Sequence, residues 1–151
     1  MKPNSKQRWL AWLPTILWAA VIFAMSTSQF SAAKTLNVIY PVLFWLLPFA
    51  SHNTLMMLHE LIRKCAHVTE YFIFSLLLLH GLRAGRKEWR WKWALAAIGI
   101  AGAYACTDEF HQLFVPGRHG SPYDVMIDVT GATLAQVVAY LFARVRKTEP
   151  V

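Results

Sequence analysis

The sequence predicts an all-α integral membrane protein: a four-helix bundle with an additional short re-entrant or interfacial outer helix. Three observations predict it. The 151-residue chain is 56% hydrophobic, with seven Trp and nine Phe. Its charge is clumped between long apolar runs, whereas a soluble domain spreads charge over every exposed face. Basic residues flank those runs, as the cytoplasmic loops of a membrane protein do. The length suits one domain, so residues 1–151 are read as a single unit. A net charge of +7 would also suit nucleic acid, but no basic stripe or recognised motif supports that partner. Cys65 and Cys106 form no CxxC and no disulfide framework, and are expected as buried thiols.

Each element follows in order. Lys2, Lys6 and Arg8 precede an apolar run that predicts a first span over about 9–26, with Trp9 and Trp12 suited to the interface. No A-x-A-like cleavage site follows, so the run reads as an uncleaved helix rather than a signal peptide. Pro14 lies near the helix start, where a missing N–H does least harm. Residues 35–49 are apolar but short and bracketed by Pro41 and Pro48, which predicts the outer interfacial segment. A second span over 54–82 is expected to be capped by Asn53 or Thr54. A third covers 93–115, with Gly99, Gly102 and Ala103 as small residues for close packing. A fourth covers 123–143.

Orientation follows from the basic residues. Of fifteen Lys and Arg, three precede the first span, five lie in the loop at 83–92 and three follow the last span. The predicted outer loops hold only Lys34 and Arg118, and Arg63 and Lys64 lie in the polar half of the second span. Both termini are therefore expected in the cytoplasm, with a multi-pass chain in the membrane. Glu88 and Glu149 are cytoplasmic on this reading. The other six acids, Glu60, Glu70, Asp108, Glu109, Asp124 and Asp128, all fall in or beside the outward half.

Their spacing is helical. Glu60, Lys64, His67 and Tyr71 step by four, three and four; Arg63, His67 and Glu70 share the adjoining stripe. Asp108 and Gln112 are one turn apart, as are Asp124 and Asp128, with Gly131 next on that face. Charge at membrane depth is costly, so such stripes turn toward one another and enclose a polar pocket facing outward.

The pattern K-x-x-H-x-x-E-Y at Lys64–Tyr71, D-E-x-x-Q at Asp108–Gln112, P-G-R-x-G-S-x-x-D at Pro116–Asp124 and D-x-x-G at Asp128–Gly131 resembles the VanZ-like membrane family. The resemblance runs from about Ser26 to Gly131. The family often has Asn at the position of Asp128, so this chain carries an extra negative charge there. The resemblance implies a small multi-span membrane protein, and the family's founding member is associated with teicoplanin resistance.

Three functions fit these residues. The first is a cell-envelope protein whose pocket binds an anionic lipid or lipid-linked envelope precursor, through Lys64, Tyr71, Gln112, Arg118, Ser121, Asp124 and Asp128. The planar fork of Arg118, set in a Pro-Gly turn, suits a phosphate. The second is a metal-assisted hydrolase or transferase acting on a lipid-linked phosphate or ester. His67, Glu70, Asp108 and Glu109 would be its catalytic groups, and Asp108, Glu109, Asp124 and Asp128 its ligands for a divalent metal ion. No HExxH or other fixed ligand spacing supports it. Ser121 lacks a G-x-S-x-G elbow, and its neighbour Pro122 points instead to a helix start. The third is a small proton-coupled transporter, where His67 titrates near neutral pH and a homo-oligomer would supply further spans. The blander reading is that Lys64 with Glu60, or Arg63 with Glu70, neutralise one another as intrahelical ion pairs. His52, His80 and His119 are expected at interfaces or in loops, and His111 off the polar stripe.

Overall fold

The computed structural model describes residues 5–86 and 88–148; Lys2 and Glu149 lie outside them. The described residues form six α-helices and one short 3-10 turn, with no strand. They are α1 (Ser5–Leu10), α2 (Leu13–Met25), α3 (Ala32–Leu46), α4 (His52–Arg83), α5 (Trp91–Gln112) and α6 (Pro122–Thr148), with the 3-10 turn at Ser28–Phe30.

Three helical stretches are long and apolar enough to cross a membrane: Arg8–Met25, His52–Arg83 and Pro122–Arg146. The first is interrupted by a turn at Ala11–Trp12, where Pro14 opens α2 without costing an internal hydrogen bond. The 22-residue α5 is long enough but less apolar, because its last turn carries Asp108, Glu109, His111 and Gln112. It ends at Gln112, three residues before the expected limit.

The α4 helix is the hub, packing against α6, α5, α2 and α3. Its N-cap is Ser51, whose Oγ accepts the Thr54 N–H at 3.2 Å. The expected caps Asn53 and Thr54 lie inside the first turn instead, because Ser51 holds the extended backbone a cap requires. The α3 helix carries Pro41 in its interior and exposes most of its apolar surface, with Trp45 79% exposed.

The core lies between α2, α4, α5 and α6. Tyr71, Phe74 and Leu78 of α4 meet Ile22 of α2, Ala97, Ala101 and Ala105 of α5, and Ala132 of α6. The alanine stripe repeats every four residues, so one face of α5 is flat and the neighbouring backbones come close. That stripe does the work expected of Gly99 and Ala103: Gly99 has open space around it and Ala103 is exposed, while Gly102 does face Val129. At Gly131 the approach of α6 to α4 is so close that a Cβ would collide with the Val68 carbonyl.

Polar side chains tie the helices through backbone carbonyls. Thr15 Oγ1 donates to Leu77 O at 2.9 Å, Trp18 Nε1 to Glu70 O at 3.0 Å and Tyr104 Oη to Ala19 O at 2.7 Å. The Trp12 ring covers Gly81. Cys65 and Cys106 are exposed, contrary to the expectation of buried thiols. They lie on outer helix faces, and an apolar solvent accepts a thiol as readily as a core does.

Candidate functional site

Four parts of the chain converge at one end of the bundle. The middle of α4 supplies Arg63, Lys64, His67, Glu70 and Tyr71. The end of α5 supplies Asp108, Glu109 and Gln112, and the start of α6 supplies Asp124 and Asp128. The connection between α5 and α6 supplies Arg118. It turns at Gly117, whose φ of +77° lies in the left-handed region that favours glycine.

The contacts sort the charges. His67 Nδ1 lies 3.1 Å from Asp128 Oδ1, and Asp128 is completely buried. Lys64 Nζ donates to Asp124 Oδ1 at 2.9 Å and sits 5.2 Å from the centre of the Tyr123 ring. Gln112 Nε2 donates to Asp108 Oδ2 at 3.1 Å. The Ser121 N–H donates to Glu109 Oε2 at 2.8 Å, so this carboxylate holds the backbone just ahead of α6. Negative charge is favourable there, where helix N–H groups lack partners. Gly120 is required beside it, since a Cβ would collide with the Glu109 carbonyl.

The arginines behave differently. Arg118 donates from Nε to Thr27 O at 3.1 Å and from Nη2 to Met25 O. Arg63 Nη1 donates to Thr35 Oγ1 at 3.2 Å and reaches Phe30 O at 3.5 Å. Among the described residues, neither forms an ion pair with a carboxylate. Both line a cavity of about 80 Å³ together with His67, Glu70, Asp108 and Gln112. Burial pulls Arg118 below its ordinary value and the positive charge of Arg63 adds to that, while Asp108, Glu70 and Glu109 oppose it. An arginine starts so high that it stays charged.

The intrahelical pairs considered from spacing do not form. Lys64 reaches across to α6 rather than back to Glu60, and Arg63 turns toward α3 rather than to Glu70. Glu60 is exposed and lies 3.5 Å from His59 Nδ1. Inter-helix partners win because they satisfy charges that the packing has already brought together.

Several buried oxygens have no hydrogen-bond partner: Asp108 Oδ1, Glu109 Oε1, Asp128 Oδ2 and Tyr71 Oη. His67, Glu109 and Asp128 each offer one ligand atom within 4.8 Å of the others. Of the ligand set expected from sequence, Glu109 and Asp128 belong to this group and Asp108 and Asp124 do not; Gln112 and Lys64 hold those two. Ser121 opens α6, its Oγ accepting the Tyr123 N–H at 3.2 Å.

Sequence reasoning missed Ser26, Thr35 and His59. Ser26 lines the cavity, and its Oγ lies 3.3 Å from His111 Nδ1. His59, only 1% exposed, lies 3.1 Å from Thr35 Oγ1, which also receives Arg63. The signal for His59 was its step of four to Arg63 and eight to His67. For Ser26 and Thr35 there was none, since Ser26 follows α2 in an ordinary hydroxyl-rich connection and Thr35 is a lone hydroxyl in the first turns of α3. His52 pairs with Tyr40 Oη at 2.9 Å, away from the cavity.

Residues 11–143 match the protein-family model described as VanZ/LLP1. No curated protein and no solved structure matches the chain.

Proposed function

The chain belongs to the VanZ/LLP1 family, and from that premise we propose that it binds the anionic head group of a membrane lipid or lipid-linked envelope precursor. The observation that carries this reading is the pair of guanidinium groups, Arg63 and Arg118, lining one cavity without an ion-paired carboxylate. Two like charges at one cavity wall favour negative charge beside them, which Glu70 and Asp108 supply from the protein and an anionic head group would supply from outside. Arg118 is built in, held by two backbone carbonyls and a glycine turn.

Size and charge narrow the ligand. A cavity near 80 Å³ exceeds the ~10–15 Å³ that one water requires, and suits a single phosphate group rather than a whole glycan. Glu70 and Asp108 on the same wall repel a highly charged pyrophosphate. A lipid phosphomonoester or phosphodiester is the better match, its chains running along the exposed apolar helix faces. Altered glycopeptide (teicoplanin) susceptibility would be the cellular consequence of such binding.

The same reading has four spans, α1–α2, α4, α5 and α6, with both termini in the cytoplasm of a bacterial cell and the cavity facing outward. Its support is the distribution of Lys and Arg, concentrated before α2, between α4 and α5, and at the end of α6.

Native mass spectrometry of the detergent-purified protein with phosphate-headed and zwitterionic lipids tests the binding. A charge-assisted hydrogen bond contributes ~1.5–3 kcal/mol, so Arg63→Gln with Arg118→Gln should weaken retention of anionic lipid by about tenfold or more. Retention equal to that of the wild type sinks the reading. Arg118→Lys, which keeps the charge, separates loss of the anion contact from loss of the loop.

A further inference from the structure

We propose that His67, Glu109 and Asp128 form a binding site for one divalent transition-metal ion. The inference goes beyond head-group binding and does not depend on it. Three helices contribute one ligand each, and the three ligand atoms already lie within 4.8 Å of one another. Ligands bonded to one ion at ~2.0–2.2 Å are separated by ~3–4.4 Å, so small side-chain rotations close the set. The His67–Asp128 separation of 3.1 Å is already in that range.

The second observation is the state of the carboxylates. Glu109 is 5% exposed and Asp128 is 0% exposed, and each has an oxygen, Oε1 and Oδ2, without a hydrogen-bond partner. A buried carboxylate oxygen left this way is costly and calls for a proton or a cation. Lys64 pairs with Asp124, and among the described residues neither Arg63 nor Arg118 forms an ion pair with Glu109 or Asp128. Two carboxylates and one imidazole match a dipositive charge.

The donor set decides the class of ion. One imidazole nitrogen with two carboxylate oxygens suits Zn²⁺ or Mn²⁺, whereas Ca²⁺ and Mg²⁺ prefer oxygen alone. Three protein ligands leave coordination positions open. The site also has access. Glu109 lines a surface groove of about 320 Å³ with Leu113, Gly120 and Val125, and His67 lines the cavity that holds both arginines.

The test measures metal directly, without lipid or activity. Purified wild-type protein, exposed to Zn²⁺ or Mn²⁺ and desalted, should retain about one equivalent by elemental analysis. His67→Ala, Glu109→Gln and Asp128→Ala should each lower retention by about tenfold or more. Glu60→Gln, an exposed carboxylate outside the set, should retain the full amount. Should the buried variants fail to fold, a chelator added to wild type should lower Tm by about 4 °C or more. Wild type that binds neither ion and shows no chelator-dependent Tm overturns the proposal, as does undiminished binding by all three folded variants.

Discussion

Two carboxylates four residues apart on α6 occupy very different environments, and the difference predicts their weight. Asp124 meets Lys64 where both side chains remain partly exposed, 24% and 42%. Pairs of that kind contribute little, so Lys64→Ala should lower stability by about 1 kcal/mol or less in thermal unfolding. A loss of several kcal/mol would show that the lysine is held in a drier setting than its exposure implies. Asp128 has no exposure and, among the described residues, pairs only with His67. The stripe Glu60–Lys64–His67–Tyr71 and the adjoining Arg63–His67–Glu70 were legible from their spacing. The partner of each member was not, because spacing fixes a side chain's azimuth on its own helix and says nothing of the helix opposite.

At the scale of elements, the contact between α4 and α6 sets the geometry of the site. Both Lys64–Asp124 and His67–Asp128 cross it, and so does the buried network in which Gln136 Nε2 donates to Ser75 O and Oγ at 3.0 and 2.8 Å. Gly131 lies between, with Val68 carbonyl where a side chain would go. Gly131→Ala should therefore destabilise by ~1–3 kcal/mol, as overpacking does. Gly99→Ala, in open space on α5, should be neutral or stabilising by up to ~1 kcal/mol from helix propensity. Equal Tm changes for the two variants would contradict the close approach. Helix ends lie within about five residues of the span limits read from sequence, α6 running furthest past its expected end at 143, to Thr148. The exceptions have local causes: Ser51 in place of Asn53 or Thr54, and an α5 that stops at Gln112 so that the chain can turn back through Gly117.

For the whole molecule, the proposed four-span arrangement makes a definite accessibility prediction. With Cys65 and Cys106 replaced by Ser, a membrane-impermeant maleimide should label His119→Cys in intact cells. It should label Glu88→Cys only after permeabilisation. Labelling of Glu88→Cys alone in intact cells would invert the orientation, and labelling of both at once would break the topology. The outer surface is consistent with an apolar surround: Trp9 is 77% and Phe49 100% exposed, and both cysteines lie on outer faces. In water such a surface would be an aggregation hazard.

The sequence by itself determined the all-helical class, the apolar character of the long helices and, through the resemblance of its motifs, the VanZ/LLP1 family. The first two follow from hydropathy and from the 3.6-residue period, which are properties of a chain read locally. The tertiary structure decided which charges meet. It sent Lys64 to Asp124, His67 to Asp128 and Arg63 to Thr35, brought Ser26 and His59 into the neighbourhood, and left Glu109 and Asp128 with unpartnered oxygens. The reason is physical: helix order, rotation and depth are set by the alanine stripe of α5 and the glycine contact of α6. Those small residues carry no charge pattern that a linear reading would connect to the site.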